Sequence, residues 1–113
     1  MKRADHDLLS SLEFQVLLVL ANGPAHGYAI GKALQEQSGG RVDPTTGALY
    51  HILRRLEDSG LVEPAVVREG SGDARRRYFR ITRAGRRTAS AEASHLADLV
   101  AKARARRLLG ADG

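Results

Sequence analysis

The 113-residue sequence contains no cysteine or tryptophan, and it has only three prolines and one methionine. The absence of cysteine excludes disulfide scaffolds, thiolate zinc sites and cysteine nucleophiles. Long apolar runs are also missing, because the longest covers the six residues 16–21, whereas a membrane-spanning helix needs about 20. The basic N-terminal residues are not followed by the apolar stretch of a secretory signal. We therefore expect a cytoplasmic protein with no membrane partner.

The sequence also lacks the residue patterns of catalytic and metal sites. Its four histidines are scattered and form no His-x-x-x-His pair of the kind that binds zinc: His6, His26, His51 and His95. The glycines form no phosphate-binding motif, and Gly70-Ser71-Gly72 lacks the strand-to-helix context of a nucleophile elbow. We expect no enzyme activity, no cofactor and no metal.

Positive charge is the most informative feature of the composition. Lysine and arginine number 18 against 13 acidic residues, which gives a net charge of +5. Between Arg68 and Arg87 lie eight arginines and two acids, a local charge of +6. Such a patch favours a polyanionic partner, either nucleic acid or anionic lipid. The length corresponds to one small domain, for which self-association would add useful burial.

Helix signals dominate the first half of the chain. The capping box Ser10-Ser11-Leu12-Glu13 predicts a helix that begins at Ser10, after a loose charged arm. Because residues 12–21 are almost all apolar, this helix is expected to bury one face in its own core and another against a partner. Asn22-Gly23-Pro24 ends it, and a second helix is predicted over 26–37.

The third helix has the clearest local signals. Asp43 is predicted as its N-cap and Pro44 as its first residue, and Ser59-Gly60 closes it. Apolar residues recur at i, i+3, i+4 and i+7, as in an amphipathic helix: Leu49, Ile52, Leu53 and Leu56. Three helices with short connections predict a helix-turn-helix core.

The second half of the chain predicts a β-hairpin and a long helix. Residues 61–68 are expected to form a strand that Pro64 restricts to a sheet edge, and 75–81 the second strand, beyond a polar turn at 69–74. Thr82 caps a last helix that reaches about residue 108. Its narrow apolar seam predicts a dimerisation element. With the first helix, it supplies the predicted dimer contacts: Leu12, Val16, Leu96, Leu99, Val100 and Ala103.

These elements predict a mainly α fold with a small β-hairpin wing, that is, a winged helix-turn-helix followed by a C-terminal dimerisation helix. The expected units are a flexible arm at 1–7, the winged domain at 8–82, the dimerisation helix at 83–108 and a flexible tail at 109–113.

The polar face of the third helix is the candidate reading surface. On a helical wheel Gly47, Tyr50, His51 and Arg54 lie opposite the apolar stripe. Arginine matches guanine or phosphate oxygens, tyrosine donates to phosphate, and glycine admits close approach of the backbone. At the helix start Thr45 and Thr46 add hydroxyls where phosphate is favoured. The alternative is an ordinary solvated face on which Arg54 pairs with Asp58.

The hairpin tip carries a second candidate contact. Arg75 and Arg76 are predicted to enter a minor groove or to clamp the DNA backbone. The alternative is a solvated hairpin whose charges repel one another. Arg77 is expected on the same side as Phe79 and Ile81, where it would pair within the protein.

Four sequence segments carry a family resemblance. They are the end of the first helix at Gly23-Pro24, the motif His26-Gly27-Tyr28-Ala29-Ile30, the run from Gly47-Ala48-Leu49-Tyr50 to Gly60-Leu61-Val62, and the segment 77–85 with Ile81-Thr82-Arg83-Ala84-Gly85. Together they resemble the PadR-like winged helix-turn-helix transcriptional regulators. The resemblance covers residues 8–108, in the shorter group with a single C-terminal helix.

The resemblance implies a homodimer, built from the first and last helices, that binds double-stranded DNA at a pseudo-palindromic operator. Such proteins are usually repressors associated with the bacterial nucleoid, and a small molecule often releases them; the sequence identifies no effector. The resemblance implies that Tyr50 contacts the DNA backbone. Ala48 and His51 replace the threonine and proline that members often have, so an operator sequence does not transfer. The alternative function is a winged-helix protein-interaction or RNA-associated module.

Overall fold

The computed structural model describes residues 9–66 and 77–110. These ranges form, in chain order, the elements α1 (Ser11–Leu20), β1 (Ala25–His26), α2 (Gly27–Gln37), α3 (Thr46–Asp58), β2 (Val62–Ala65), β3 (Tyr78–Ile81) and α4 (Arg83–Ala105). The strands make one antiparallel sheet in the order β1-β3-β2. The architecture confirms the predicted winged helix-turn-helix, with β1 as a third strand that the sequence did not predict.

Polar side chains determine where the helices begin. The capping box of α1 is confirmed, since Ser10 Oγ accepts from the Glu13 amide (3.1 Å) and the Ser10 amide donates to Glu13 Oε1 (2.9 Å). In α3 the N-cap is Thr45, whose Oγ1 accepts from the Ala48 amide (3.1 Å). The prediction of Asp43 as N-cap and Pro44 as first helical residue is therefore wrong. Both Asp43 and Thr45 have side chains suited to a cap, and the later one is used.

The core lies where α1, α2 and α3 meet the inner face of the sheet. The predicted stripe of α3 is confirmed, with Leu49, Leu53 and Leu56 buried and Ile52 half-buried. Each fully buried side chain of this size contributes roughly 1.5–3 kcal/mol to folding. The largest fully buried side chains are Phe79, Leu17, Leu20, Ile30, Leu34, Leu53, Leu56, Val16 and Val62. This packing fixes α3 against the rest of the domain.

The hairpin is shorter in the described residues than the sequence predicted. Strand β2 pairs with β3 over Val62–Ala65 and Tyr78–Ile81, and it lies at the edge of the sheet, as Pro64 requires. The rest of the predicted strands falls partly in 67–76, outside the described residues, as do the turn at 69–74 and the wing arginines Arg75 and Arg76.

A compact junction, formed by Gly60, Leu61, Thr82 and Gly85, connects the end of α3 to the start of α4. Thr82 Oγ1 donates to the Gly60 carbonyl (2.7 Å), and the Thr82 amide donates to the Leu61 carbonyl (3.0 Å). Thr82 Oγ1 also accepts from the Gly85 amide (2.9 Å), which confirms Thr82 as the N-cap of α4. Gly85 is buried so closely against this turn that a Cβ would overlap the Leu61 carbonyl oxygen.

The helix α4 extends well beyond the domain. Ala84 and Ala89, near its start, pack on the core, but from Ala93 onward nearly every residue is exposed. Its 23 residues correspond to a length of about 34 Å. The helix ends at Ala105, three residues before the predicted end. Within residues 9–66 and 77–110, no helix is both long and apolar enough to cross a membrane.

Candidate nucleic-acid interface

The outward side of α3 carries most of the predicted reading residues. Five of the predicted residues are exposed: Thr45, Thr46, Gly47, His51 and Arg54. Gly47, His51 and Arg54 lie opposite the buried leucines, and Thr45 and Thr46 lie at the open start of the helix. At the helix start, backbone amides lack partners inside the helix and the helix dipole favours negative charge. The structure therefore brings these five residues together on one accessible surface, which we call the α3 face.

Tyr50 lies at the edge of the α3 face rather than in its middle. The residue is half-buried, and its ring contacts Phe79 edge-on, with the ring centroids 6.1 Å apart. Its phenol end lies over Gly27, where a Cβ would overlap the hydroxyl oxygen. A helical wheel treats α3 in isolation and cannot show that the sheet and α2 close over one of its sides. The Tyr50 hydroxyl is consequently fixed between α3 and the first turn of α2.

Arg54 and Arg55 occupy different environments although they are neighbours. In residues 9–66 and 77–110 no ion pair joins Arg54 to Asp58, so the predicted alternative pairing is not formed. Arg55 instead places its Nε 3.7 Å from Glu13 Oε2. Glu13 is only 3% exposed, so this contact connects α3 to the capping box of α1. The sequence shows the capping box but gives no local signal for a partner so far along the chain.

The start of α2 adds polar groups that sequence analysis did not assign. Tyr28 is 73% exposed, and its ring stacks on His26 with centroids 6.4 Å apart and planes 19° apart. An open cleft of about 280 Å³ separates α2 from the segment that leads into α3. Tyr28, Lys32, Asp43 and Thr46 are among the residues that line it. Since Thr46 also belongs to the α3 face, the cleft is continuous with that surface.

The arginines next to the wing make contacts within the protein. The Arg77 guanidinium lies 5.6 Å from the centroid of the Phe79 ring, which confirms its predicted place beside Phe79. Arg80 Nε donates to Glu63 Oε2 at 2.6 Å, across the β2–β3 pair. Both side chains therefore brace the hairpin.

Apolar side chains are exposed on α4 and on α1. Leu96, Leu99 and Val100 are 37%, 45% and 44% exposed and form a stripe on α4, with Ala103 half-buried beside them. On α1 the predicted contact Leu12 is half-buried. Val16 is fully buried in the core of its own chain, so its assignment to a dimer contact is wrong. Leu18, which is 45% exposed, is the large apolar side chain of α1 that remains open to solvent.

Comparison with a family model shows which protein family this chain belongs to. The model of the transcriptional regulator PadR-like family matches residues 16–91, which is more than half of the chain. The chain belongs to the PadR-like family. This is a family of transcriptional regulators and not of enzymes, in agreement with the sequence analysis.

A curated relative of this PadR-like chain is an uncharacterized 37.1 kDa protein in a transposon of Streptomyces fradiae. The two are 46% identical over 84 residues, which are 74% of this chain and 22% of the relative. The PadR-like chain therefore spans less than a quarter of that protein.

Solved structures of two PadR proteins and of RosR share the fold. A regulator from Clostridium difficile superposes with a TM-score of 0.73 at 21% identity, over 89% of this chain and all (100%) of the other. Bacillus subtilis PadR in complex with operator DNA gives 0.60 at 21% identity, over 72% and 45% of the two chains. RosR of H. salinarum gives 0.63 at 27% identity, over 88% and 80%.

Proposed function

We propose that this PadR-like regulator binds a pseudo-palindromic operator as a homodimer and represses transcription from it. The observation that carries the proposal is the α3 face, an exposed polar surface on a helix whose opposite side is fixed by buried leucines. An α-helix fits the width of the major groove, where base edges can be read. Bacillus subtilis PadR, which has the same fold, is solved in complex with operator DNA, and this supports operator DNA as the partner.

Each residue of the α3 face has a role in this proposal. Arg54 offers two parallel donors that match O6 and N7 of guanine. Thr45, Thr46 and the Tyr50 hydroxyl donate to phosphate oxygens, while Gly47 lets the backbone approach the groove. His51 adds a ring nitrogen to the same surface. The wing residues Arg75 and Arg76 are proposed to hold the backbone or the minor groove.

The homodimer is supported by the apolar stripe on α4. In the single chain Leu96, Leu99 and Val100 remain open to solvent on a helix that extends beyond the domain. Pairing two such helices would bury the stripe, with Leu18 of α1 adding to the contact. A two-fold pair then presents two α3 faces to half-sites about 34–36 Å apart. The two-fold symmetry of the dimer matches a palindromic target. As a DNA-binding regulator of transcription, the protein is proposed to act in the cytoplasm.

The test is a binding selection with fragments of the organism's own genome. We expect protected sites with two inverted half-sites, bound at physiological salt, and lower expression of a reporter placed behind such a site. Nonspecific polyanion binding would fade steeply with salt and show no half-sites. That result, or binding to RNA or protein alone, would favour the alternative of an interaction module.

Arg54→Ala is expected to cost about 1–3 kcal/mol of operator binding and to relax the base preference at one position of each half-site. Arg54→Lys is the matched comparison, because it keeps the charge but loses the planar pair of donors. It should retain general affinity and lose the same base preference. Binding of a library of operator variants measures both effects, and an unchanged preference in both proteins would remove Arg54 from the reading role.

Gly27→Ala is expected to weaken operator binding although residue 27 itself has no side chain to contact DNA. The new Cβ would overlap the phenol of Tyr50 and turn its hydroxyl away from its position. Loss of one hydrogen bond to a phosphate corresponds to roughly 1.5–3 kcal/mol. Tyr50→Phe removes the same hydroxyl without displacing the ring and should give a similar loss in a titration with labelled operator. Full affinity in both variants would show that Tyr50 does not contact the backbone.

A further inference from the structure

The first two turns of α2 carry an aromatic and a basic side chain, Tyr28 and Lys32, to which the proposed function assigns no role. We propose that Tyr28 and Lys32 form a second DNA contact, which holds a backbone phosphate beside the groove that receives α3. The proposal rests on the proposed function and extends it from α3 to the rim of the cleft beside that helix.

Tyr28 is held in place while it faces solvent. Its ring stacks on His26, and His26 is itself anchored, because its Nδ1 accepts from the Ala29 amide (3.2 Å) and its ring contacts Tyr78 edge-on at 5.2 Å. A tyrosine that remains 73% exposed buries little apolar area in its own chain. Its phenol is thus a positioned donor for a ligand that approaches from outside.

Lys32 supplies the charge. It follows Tyr28 by four residues on α2, so the two side chains share one side of the helix. Lys32 is exposed and, in the part of the chain that the structure describes, forms no ion pair. Both residues line the cleft of about 280 Å³ between α2 and the start of α3. Asp43 lines the same cleft, and its carboxylate repels phosphate, which confines the contact to the rim formed by Tyr28 and Lys32.

The position of Thr46 connects this rim to the groove. Thr46 lines the cleft and also belongs to the α3 face. When the start of α3 enters a major groove, the DNA strand at the edge of that groove therefore passes beside the cleft. In helix-turn-helix proteins the helix before the reading helix crosses the backbone. A lysine ammonium and a phenol are both suited to phosphate oxygens, and neither reads a base there.

The test compares two lysines on one protein. Lys32→Gln removes a charge at the rim, and Lys102→Gln removes one on α4, where Lys102 pairs with Asp98 at 2.6 Å. Operator binding is measured as a function of salt concentration. For Lys32→Gln we expect weaker binding and a slope of log K against log salt that is smaller by about 0.9 for each phosphate that the rim no longer neutralises. Base preference should be unchanged, and Lys102→Gln should keep the slope of the unaltered protein.

Tyr28→Phe gives an independent measurement. It removes a donor and no charge, so we expect operator and unrelated duplex to lose affinity alike, by about 10- to 100-fold, with an unchanged salt slope. If the unaltered protein reads an operator but Lys32→Gln and Lys102→Gln have the same slope, the rim contact is wrong and the proposed function stands. If the unaltered protein shows no sequence preference on any duplex, the proposed function fails, and the rim contact fails with it.

Discussion

Gly85→Ala is expected to lower the free energy of unfolding by roughly 3 kcal/mol or more, a large effect for a domain of this size. Helix propensity alone predicts the opposite sign, because alanine is favoured over glycine in a helix by about 0.5–1 kcal/mol. The difference lies in the junction. A Cβ at Gly85 would overlap the Leu61 carbonyl oxygen and lie 2.8 Å from Ile81 Cγ1. The carbonyl belongs to backbone held by the Thr82 amide, so it cannot move aside easily.

Gly31→Ala is the matched control for that experiment. Gly31 also lies in a helix, but a Cβ there meets only Leu49 Cδ2 at 3.8 Å, an ordinary contact. This variant should keep its stability or gain up to about 1 kcal/mol. Thermal and denaturant unfolding followed by circular dichroism measure both proteins. A Gly85→Ala protein as stable as the Gly31→Ala protein would contradict the packing described for the junction.

Val100→Asp is expected to give a folded monomer with greatly reduced operator affinity. The charge falls in the exposed apolar stripe of α4, where pairing of two helices would bury it without a partner. A dimer gains roughly 10²- to 10⁴-fold in avidity from engaging two linked half-sites. The affinity of a monomer for the full palindrome should therefore be lower by a factor of that size. Its affinity for a single half-site should be unchanged. Sedimentation velocity and titration of full and half operators measure the two effects.

Ala101→Asp is the control for the dimer prediction. The residue adjoins Val100 in sequence, but the helical phase places it away from the apolar stripe, beside Asp98 and Arg104. It introduces the same charge, so any general effect of charge on the helix appears in both variants. A Val100→Asp protein that sediments as a dimer, or an Ala101→Asp protein that does not, would place the interface elsewhere.

The elements that sequence predicted correctly have local causes. The capping box at Ser10, the leucine stripe of α3 and the Thr82 cap each lie within a few consecutive residues, and the structure confirms all three. Strand β1 has no such signal, because its two residues are strand only through pairing with Phe79 and Tyr78. The sequence does not determine the start of α3, because Asp43 and Thr45 both suit an N-cap and local chemistry does not choose between them.

Sequence predicts a residue of the candidate site correctly where its exposure depends only on the helical phase of α3. It fails where another element of the fold covers the residue. The exposed positions of Gly47, His51 and Arg54 follow from the phase of α3 alone. The half-buried Tyr50 depends on Phe79 and Gly27, which come from other elements. Likewise, because α1 is apolar on nearly every side, its sequence does not show which residue the fold covers: Val16 is buried and Leu18 is exposed.

The junction at Thr82 also has a mechanical consequence. Through that residue the base of α4 is fastened to the turn directly after α3, by the bonds to the carbonyls of Gly60 and Leu61. Any change in the crossing angle of two paired α4 helices would therefore change the position of each α3 relative to the other. In the homodimer that we propose, the separation between the two α3 helices, and with it the spacing of half-sites that can be bound, is set by a contact made far from DNA.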